Sequence, residues 1–116
     1  MKVIGDKGEQ IVINHFKKEG VDVRRGEFKS GYDLKAGKRL IEVKSTNQSI
    51  KQKSFFLLSK NEFLTACQNK NYWIYWVNVK EGKIVLKINR DEILKNIKPE
   101  MQYALILTNL KKKISI

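Results

Sequence analysis

Thiols, imidazoles and long apolar runs are scarce in this chain, and each shortage excludes something. Cys67 is the lone cysteine, so no internal disulfide can form. With His15 as the lone histidine there are too few soft ligands for a structural zinc site, and any metal would be held by oxygen. The longest apolar run, Tyr72 to Val77, is far short of the roughly 18 residues that a membrane span needs. The opening Met1-Lys2-Val3-Ile4-Gly5-Asp6 places no apolar segment before its first charges, which leads to the expectation of an intracellular, cytoplasmic protein. Acids are also few: 12 against 24 Lys and Arg, for a formal charge of +12.

A surplus of that size points to a polyanion, and nucleic acid is the commonest one. A lysine-rich proteome would give the same total, so position carries the argument. From Val43 to Lys80 the chain holds Lys44, Lys51, Lys53, Lys60, Lys70 and Lys80 against Glu62 alone. At 116 residues, 41% of them apolar, residues 1–116 read as a single domain with one core.

Asp6 reads as an N-cap with Glu9 at the capping-box position, opening a helix whose stripe is Ile11, Val12, Ile13 and Phe16 and whose C′ residue is Gly20. Val21 to Arg25 alternates as a short strand, with a polar turn around Gly26. Tyr32 to Ala36 and Arg39 to Lys44 follow as strands joined at Gly37-Lys38. Ser45 to Ser54 is the longest loop candidate. Ser59 or Asn61 caps a helix to about Asn71 that would bury Phe63, Leu64 and Cys67. Tyr72 to Val79 should be a central strand, turned at Glu81-Gly82 into Lys83 to Ile88. Asn89 to Ile97 reads as a short helix ended by Lys98-Pro99, and Ala104 to Leu107 is open between strand and helix. The order α-β-β-β-α-β with appended elements implies an α/β class, a mixed α+β sheet flanked by helices.

The first hairpin is where pattern becomes chemistry. Side chains alternate faces along a strand, so Glu42 and Lys44 share one side, with Ile41 and Val43 on the other. With Gly37 and Lys38 as the loop, Asp33 stands opposite Glu42, Cβ atoms about 5 Å apart. Facing carboxylates repel, and a divalent cation reverses the sign of that interaction. Lys44 could then hold a water or offset charge on a phosphate. The bland reading is the wet face of an antiparallel hairpin made of Asp33, Lys35, Glu42 and Lys44. Glu9 falls on the helix face with Val12, Ile13 and Phe16, and Gly8 beside it invites a close backbone approach. His15 reads as a surface or boundary residue, and Tyr72, Trp73, Tyr75 and Trp76 as packing rather than base-stacking groups. Lys111-Lys112-Lys113 reads as a solvated basic end. Ser45, Thr46, Lys51 and Lys53 directly follow the motif strand and are the candidate backbone-contacting residues.

Gly8-Glu9 on a first helix, Gly31-Tyr32-Asp33 and Ile41-Glu42-Val43-Lys44-Ser45 together resemble the PD-(D/E)XK, or restriction-endonuclease-like, nuclease superfamily, which includes Holliday-junction resolvases. The resemblance runs from residue 5 to about 88. Glu42-Val43-Lys44-Ser45, a polar loop, Phe55-Phe56-Leu57-Leu58-Ser59-x-Asn61-Glu62 and an aromatic strand look closer still to the NO VEIN-type domain of unknown function. Tyr32 stands where the superfamily often has proline. The resemblance implies an αβββαβ core with a C-terminal hairpin and helix extension, with Asp33 and Glu42 as metal ligands, Lys44 as the motif lysine and Glu9 as the first-helix acid. It implies Mg²⁺- or Mn²⁺-dependent hydrolysis of nucleic acid, DNA first, with a homodimer as one way to a larger footprint. The competing expectation is a non-catalytic nucleic-acid-binding or assembly module of the same fold. A third is a protein-interaction domain whose lysines serve solubility.

Overall fold

A computed structural model describes residues 2–27, 29–48, 55–98 and 104–106. Along them run α1 (Lys2–Lys18), β1 (Val23–Arg25), β2 (Leu34–Ala36), β3 (Arg39–Thr46), β4 (Phe55–Leu57), α2 (Lys60–Gln68), β5 (Tyr72–Asn78), β6 (Lys83–Asn89), α3 (Arg90–Asn96), β7 (Ile97–Lys98) and β8 (Ala104–Ile106). The main sheet has five strands in the order β1-β2-β3-β5-β6, and β4-β8-β7 form a smaller one. β3 and β5 run parallel, with Glu42 level with Ile74 and Lys44 with Trp76, while the other pairs of the main sheet are antiparallel. This is the mixed α+β architecture expected.

β5 holds the centre because nearly every residue of Tyr-Trp-Ile-Tyr-Trp-Val-Asn is apolar or aromatic, and a strand covered on both faces needs such a run. Its two faces feed two cores. Val12, Ile13 and Phe16 of α1 close on Leu34, Ile41, Val43, Tyr75 and Val77. On the other side Tyr72, Ile74, Trp76, Leu86 and Ile88 meet Ala66 of α2 and Ile93 of α3. Each large side chain fully buried in this way contributes roughly 1.5–3 kcal/mol. Leu40 packs against the second core, so even-numbered residues of β3 face α2. That parity places the site.

Four expectations change in detail. α1 starts at Lys2, so Asp6 lies exposed within the helix and is no N-cap. A capping preference cannot start a helix when the residues before it hold nothing that stops one, since even Gly5 costs only about 1 kcal/mol. The helix ends as read, with Gly20 at φ +74°. β3 continues to Thr46, so Ser45 and Thr46 are strand residues and not loop, and Lys51 and Lys53 lie outside the described residues, as does Lys111-Lys112-Lys113. α2 stops at Gln68 and buries Thr65 and Ala66, leaving Leu64 43% exposed and Cys67 exposed. Phe63 is half-buried, so the face turned to the core is that of Thr65 and Ala66. The ambiguous C-terminal segment forms a strand over Ala104–Ile106.

Candidate active site

The hairpin register places Leu34 against Ile41, Lys35 against Leu40 and Ala36 against Arg39, with Gly37 at φ +58° in the turn. β2 begins at Leu34, and Asp33, the residue before it, is held to β3 by other means. Its N–H donates to the Ile41 carbonyl over 2.9 Å, and its Oδ2 accepts the Val43 N–H over 2.8 Å. The carboxylate is thus fixed by the backbone of the strand that carries Glu42. The loop before it is fixed as well. Tyr72 Oη donates to the Gly31 carbonyl over 2.8 Å, and Asn61 Nδ2 donates to that of Lys29 over 2.6 Å.

Glu42 and Lys44 share the α2 face of β3. Glu42 is only 6% exposed. Lys44 Nζ lies 3.3 Å from Glu42 Oε2 and 3.0 Å from Glu62 Oε1. Glu62 was not singled out from sequence, yet it completes the cluster. It is also the capping-box residue of α2: its carboxylate accepts the Ser59 N–H over 3.0 Å while Ser59 Oγ accepts the Glu62 N–H over 3.0 Å. The Ser59-x-x-Glu62 spacing was the available signal, because a capping box fixes the direction of the N3 side chain.

Glu9 reaches the site from the opposite layer. Its helix packs on the Ile41 and Val43 side, and its carboxylate pairs with Arg25 of β1. Glu9, Asp33, Glu42 and Glu62 line one open cavity of about 850 Å³, with Arg25 and Asn61 at its wall. α1 comes this near because residue 8 is glycine. A Cβ there would collide with Ser45 Oγ, the close approach anticipated for Gly8. That hydroxyl is buried without a hydrogen-bond partner, and Thr46, also buried, accepts the Gln48 N–H over 2.9 Å. Neither residue stands out in solvent as a backbone-contacting loop would.

Crowding four carboxyls at a half-closed site moves their protonation. Burial, then the charges of Asp33 and Glu62, push the Glu42 carboxyl up to about 10 despite the opposing Lys44 charge. Glu42 thus holds its proton far above the ordinary carboxyl range, and its nearness to Asp33 and Glu62 favours their anions. Burial also raises Asp33, against the Val43 N–H that favours its anion, and burial with the Asp33 charge raises Glu9. Glu62 is desolvated too, but the Lys44 charge, the Glu42 hydrogen bond and the Ser59 N–H outweigh burial and hold it below the ordinary range. Burial works against the Lys44 ammonium, and its two carboxylate neighbours more than offset this.

The other residues singled out do structural work. His15 stacks edge-on against Phe16, and Tyr72, Tyr75 and Trp76 are buried in the cores. Among the described residues, no three His, Cys, Asp or Glu side chains group as a metal site. Asp33 and Glu42 offer two apposed carboxyls, which suits an ion such as Mg²⁺ that takes one or two carboxylates and completes its shell with waters and phosphate oxygens.

Residues 7–89, which contain the whole cluster, match the family described as Protein NO VEIN, C-terminal. No curated protein and no solved structure matches the chain.

Proposed function

The chain belongs to the Protein NO VEIN, C-terminal family, a kinship that names no chemistry, and from the site we propose that it hydrolyses phosphodiester bonds of nucleic acid, with Mg²⁺ or Mn²⁺, as a nuclease of the PD-(D/E)XK kind. The observation that carries this reading is that Asp33 and Glu42 line one cavity, with Lys44 behind them, its Nζ 3.3 Å from Glu42 Oε2.

Asp33 and Glu42 are the residues that would hold the ion. A bound divalent cation supplies polarisation of the scissile phosphate and a lowered pKa for water. Asp33 is aimed by the Val43 N–H, and Glu42 must give up its proton to act as a ligand. Lys44 offers a fixed positive charge. An ammonium has three N–H donors, and Glu42 and Glu62 occupy two of them, leaving one for a water or a phosphate oxygen. Charge placed in advance on a developing phosphorane needs no reorganisation during the reaction. Glu9 adds negative charge at the rim of the cavity, balanced by Arg25. DNA is the polymer proposed first, and a homodimer would widen the footprint.

One observation favours a second reading, a binding or assembly module that does not cut. Lys44 already has two internal partners, Glu62 Oε1 at 3.0 Å and Glu42 Oε2 at 3.3 Å, as a structural lysine would. Lys44→Ala separates the two. Labelled DNA and RNA are incubated with wild type and variant in Mg²⁺ or Mn²⁺, and polymer affinity is measured in parallel. The nuclease reading expects wild-type cleavage and a variant that binds as well but turns over about 10²-fold or more slowly. A variant as fast as wild type removes Lys44 from the mechanism. Wild-type binding without cleavage of either polymer favours the module.

A further inference from the structure

The surface around the site is sorted by charge in a way that total charge alone does not require. The catalytic cavity is lined by Glu9, Glu27, Asp33, Glu42 and Glu62 against Arg25 and Lys29. Three neighbouring hollows have the opposite character, and Glu19 is the sole acid among the residues lining them. They are joined in series. Tyr32 lines both the catalytic cavity and the first hollow, where Lys35, Lys38 and Lys70 stand. Gly37, Lys38 and Asn71 are shared with the second, which adds Arg39 and Lys87. His15 and Lys87 are shared with the third, which adds Lys18 and Lys83. Among the described residues, Lys35, Lys38 and Lys70 are exposed and in no ion pair.

We infer that this basic belt, running from Tyr32 over the Gly37-Lys38 hairpin turn to Lys87, is the track along which a nucleic-acid backbone is laid so that one phosphate reaches the Asp33 cavity. The inference deepens the proposed function and rests on its choice of polymer. Shape selects the partner. The belt starts on the α2 layer, at Tyr32, Leu40, Gln68 and Asn69, and ends on the α1 layer, at His15 and Phe16, so it bends around the end of the sheet. A bilayer is flat at this scale and would touch one layer only. A polynucleotide can follow the bend, and its evenly spaced charges meet Lys35, Lys38 and Lys70, which are in no ion pair among the described residues. Arg39, stacked 4.0 Å over Trp73 and donating to Tyr75 Oη over 2.7 Å, is held rigid midway along the track. Most of the belt's charge comes from lysines, which contact the backbone, so it serves position before sequence.

The test is fluorescence anisotropy with full-length protein and fluorescein-labelled duplex and single-stranded 20-mers, in chelator, across a salt series. Two triple variants remove equal charge: Lys35→Ala/Lys38→Ala/Lys70→Ala on the belt, and Lys17→Ala/Lys80→Ala/Lys95→Ala away from it. Melting temperatures of both are expected to match wild type, because all six lysines are exposed. The belt variant should bind at least about tenfold more weakly at 150 mM salt, and its log–log salt slope should be shallower by about two to three, at 0.9 per phosphate contact. The control should lose less than about threefold. Equal losses in the two variants would overturn the track while leaving nucleic-acid binding in place. Absent wild-type binding even at low salt would overturn both the track and the polymer proposed. Tighter binding to phosphatidylserine vesicles, or displacement of DNA by an equal charge of polyglutamate, would show the belt to serve a different anion. Because the measurement is made without divalent ions, it reads the track whether or not the chain cuts.

Discussion

Burial raises the Glu42 carboxyl, and the consequence for stability has a definite sign. Its folded pKa, about 10, lies above the ordinary carboxyl value of 4.5. Between those limits the native state carries a proton that the unfolded chain has released, so stability falls as pH rises. Asp33 and Glu9 are raised and act in the same direction, while Glu62 is lowered and acts oppositely, losing its contribution as pH falls. Glu42→Gln removes the largest contribution while keeping shape and a hydrogen-bond donor. In chelator it should melt above wild type by on the order of 1–3 kcal/mol at pH 8, and the gap should close toward pH 4. Melting curves at pH 4, 6 and 8 measure this, and a gap that does not change with pH would mean Glu42 is not the titrating group. At this scale Asp33, Glu42 and Lys44 were legible because strand parity and a two-residue turn fix which residues share a face. Glu62 was signalled only by its Ser59-x-x-Glu62 spacing, which fixes the side chain's direction and not where α2 docks.

Elements meet at specific contacts, and α1 meets β3 at Gly8. A Cβ at that position would strike Ser45 Oγ, come to 3.0 Å from Ser45 Cβ and lie in ordinary contact, 3.5 Å, with Val43 Cγ1. Gly8→Ala should therefore destabilise by about 1–3 kcal/mol even though alanine favours helix, because the added methyl overpacks the helix–sheet contact. Ser45→Gly removes both close atoms. Gly8→Ala added to Ser45→Gly should cost nothing further, and denaturant unfolding of the four proteins reads the coupling directly. Additive losses would place the strain elsewhere. The sequence signalled this contact through a glycine inside an amphipathic helix. It misled at Asp6 and on α2, where cap preference and side-chain size were weaker than the helix's continuation to Lys2 and the packing of Thr65 and Ala66 against the sheet.

Across the whole molecule, the total charge of +12 was plain from composition, and its division was not. Lys35 and Lys38 are local to the hairpin, but Lys70 and Lys87 join them only through the parallel β3–β5 pairing and the β5–β6 hairpin. Those contacts also bring α2, and with it Glu62, over the carboxylates. The result is an acidic cavity that repels phosphate beside a basic belt that attracts it. A divalent cation between Asp33 and Glu42 would resolve that opposition, and the proposed phosphodiester cleavage depends on it. The most direct measurement is the rate of cleavage of one labelled DNA by wild type and Asp33→Asn, each in Mn²⁺ and in chelator. Cleavage confined to wild type in Mn²⁺, with Asp33→Asn slower by about 10²-fold or more, is the result expected. Wild-type cleavage undiminished by chelator, or an Asp33→Asn protein that cuts at the wild-type rate, would contradict it.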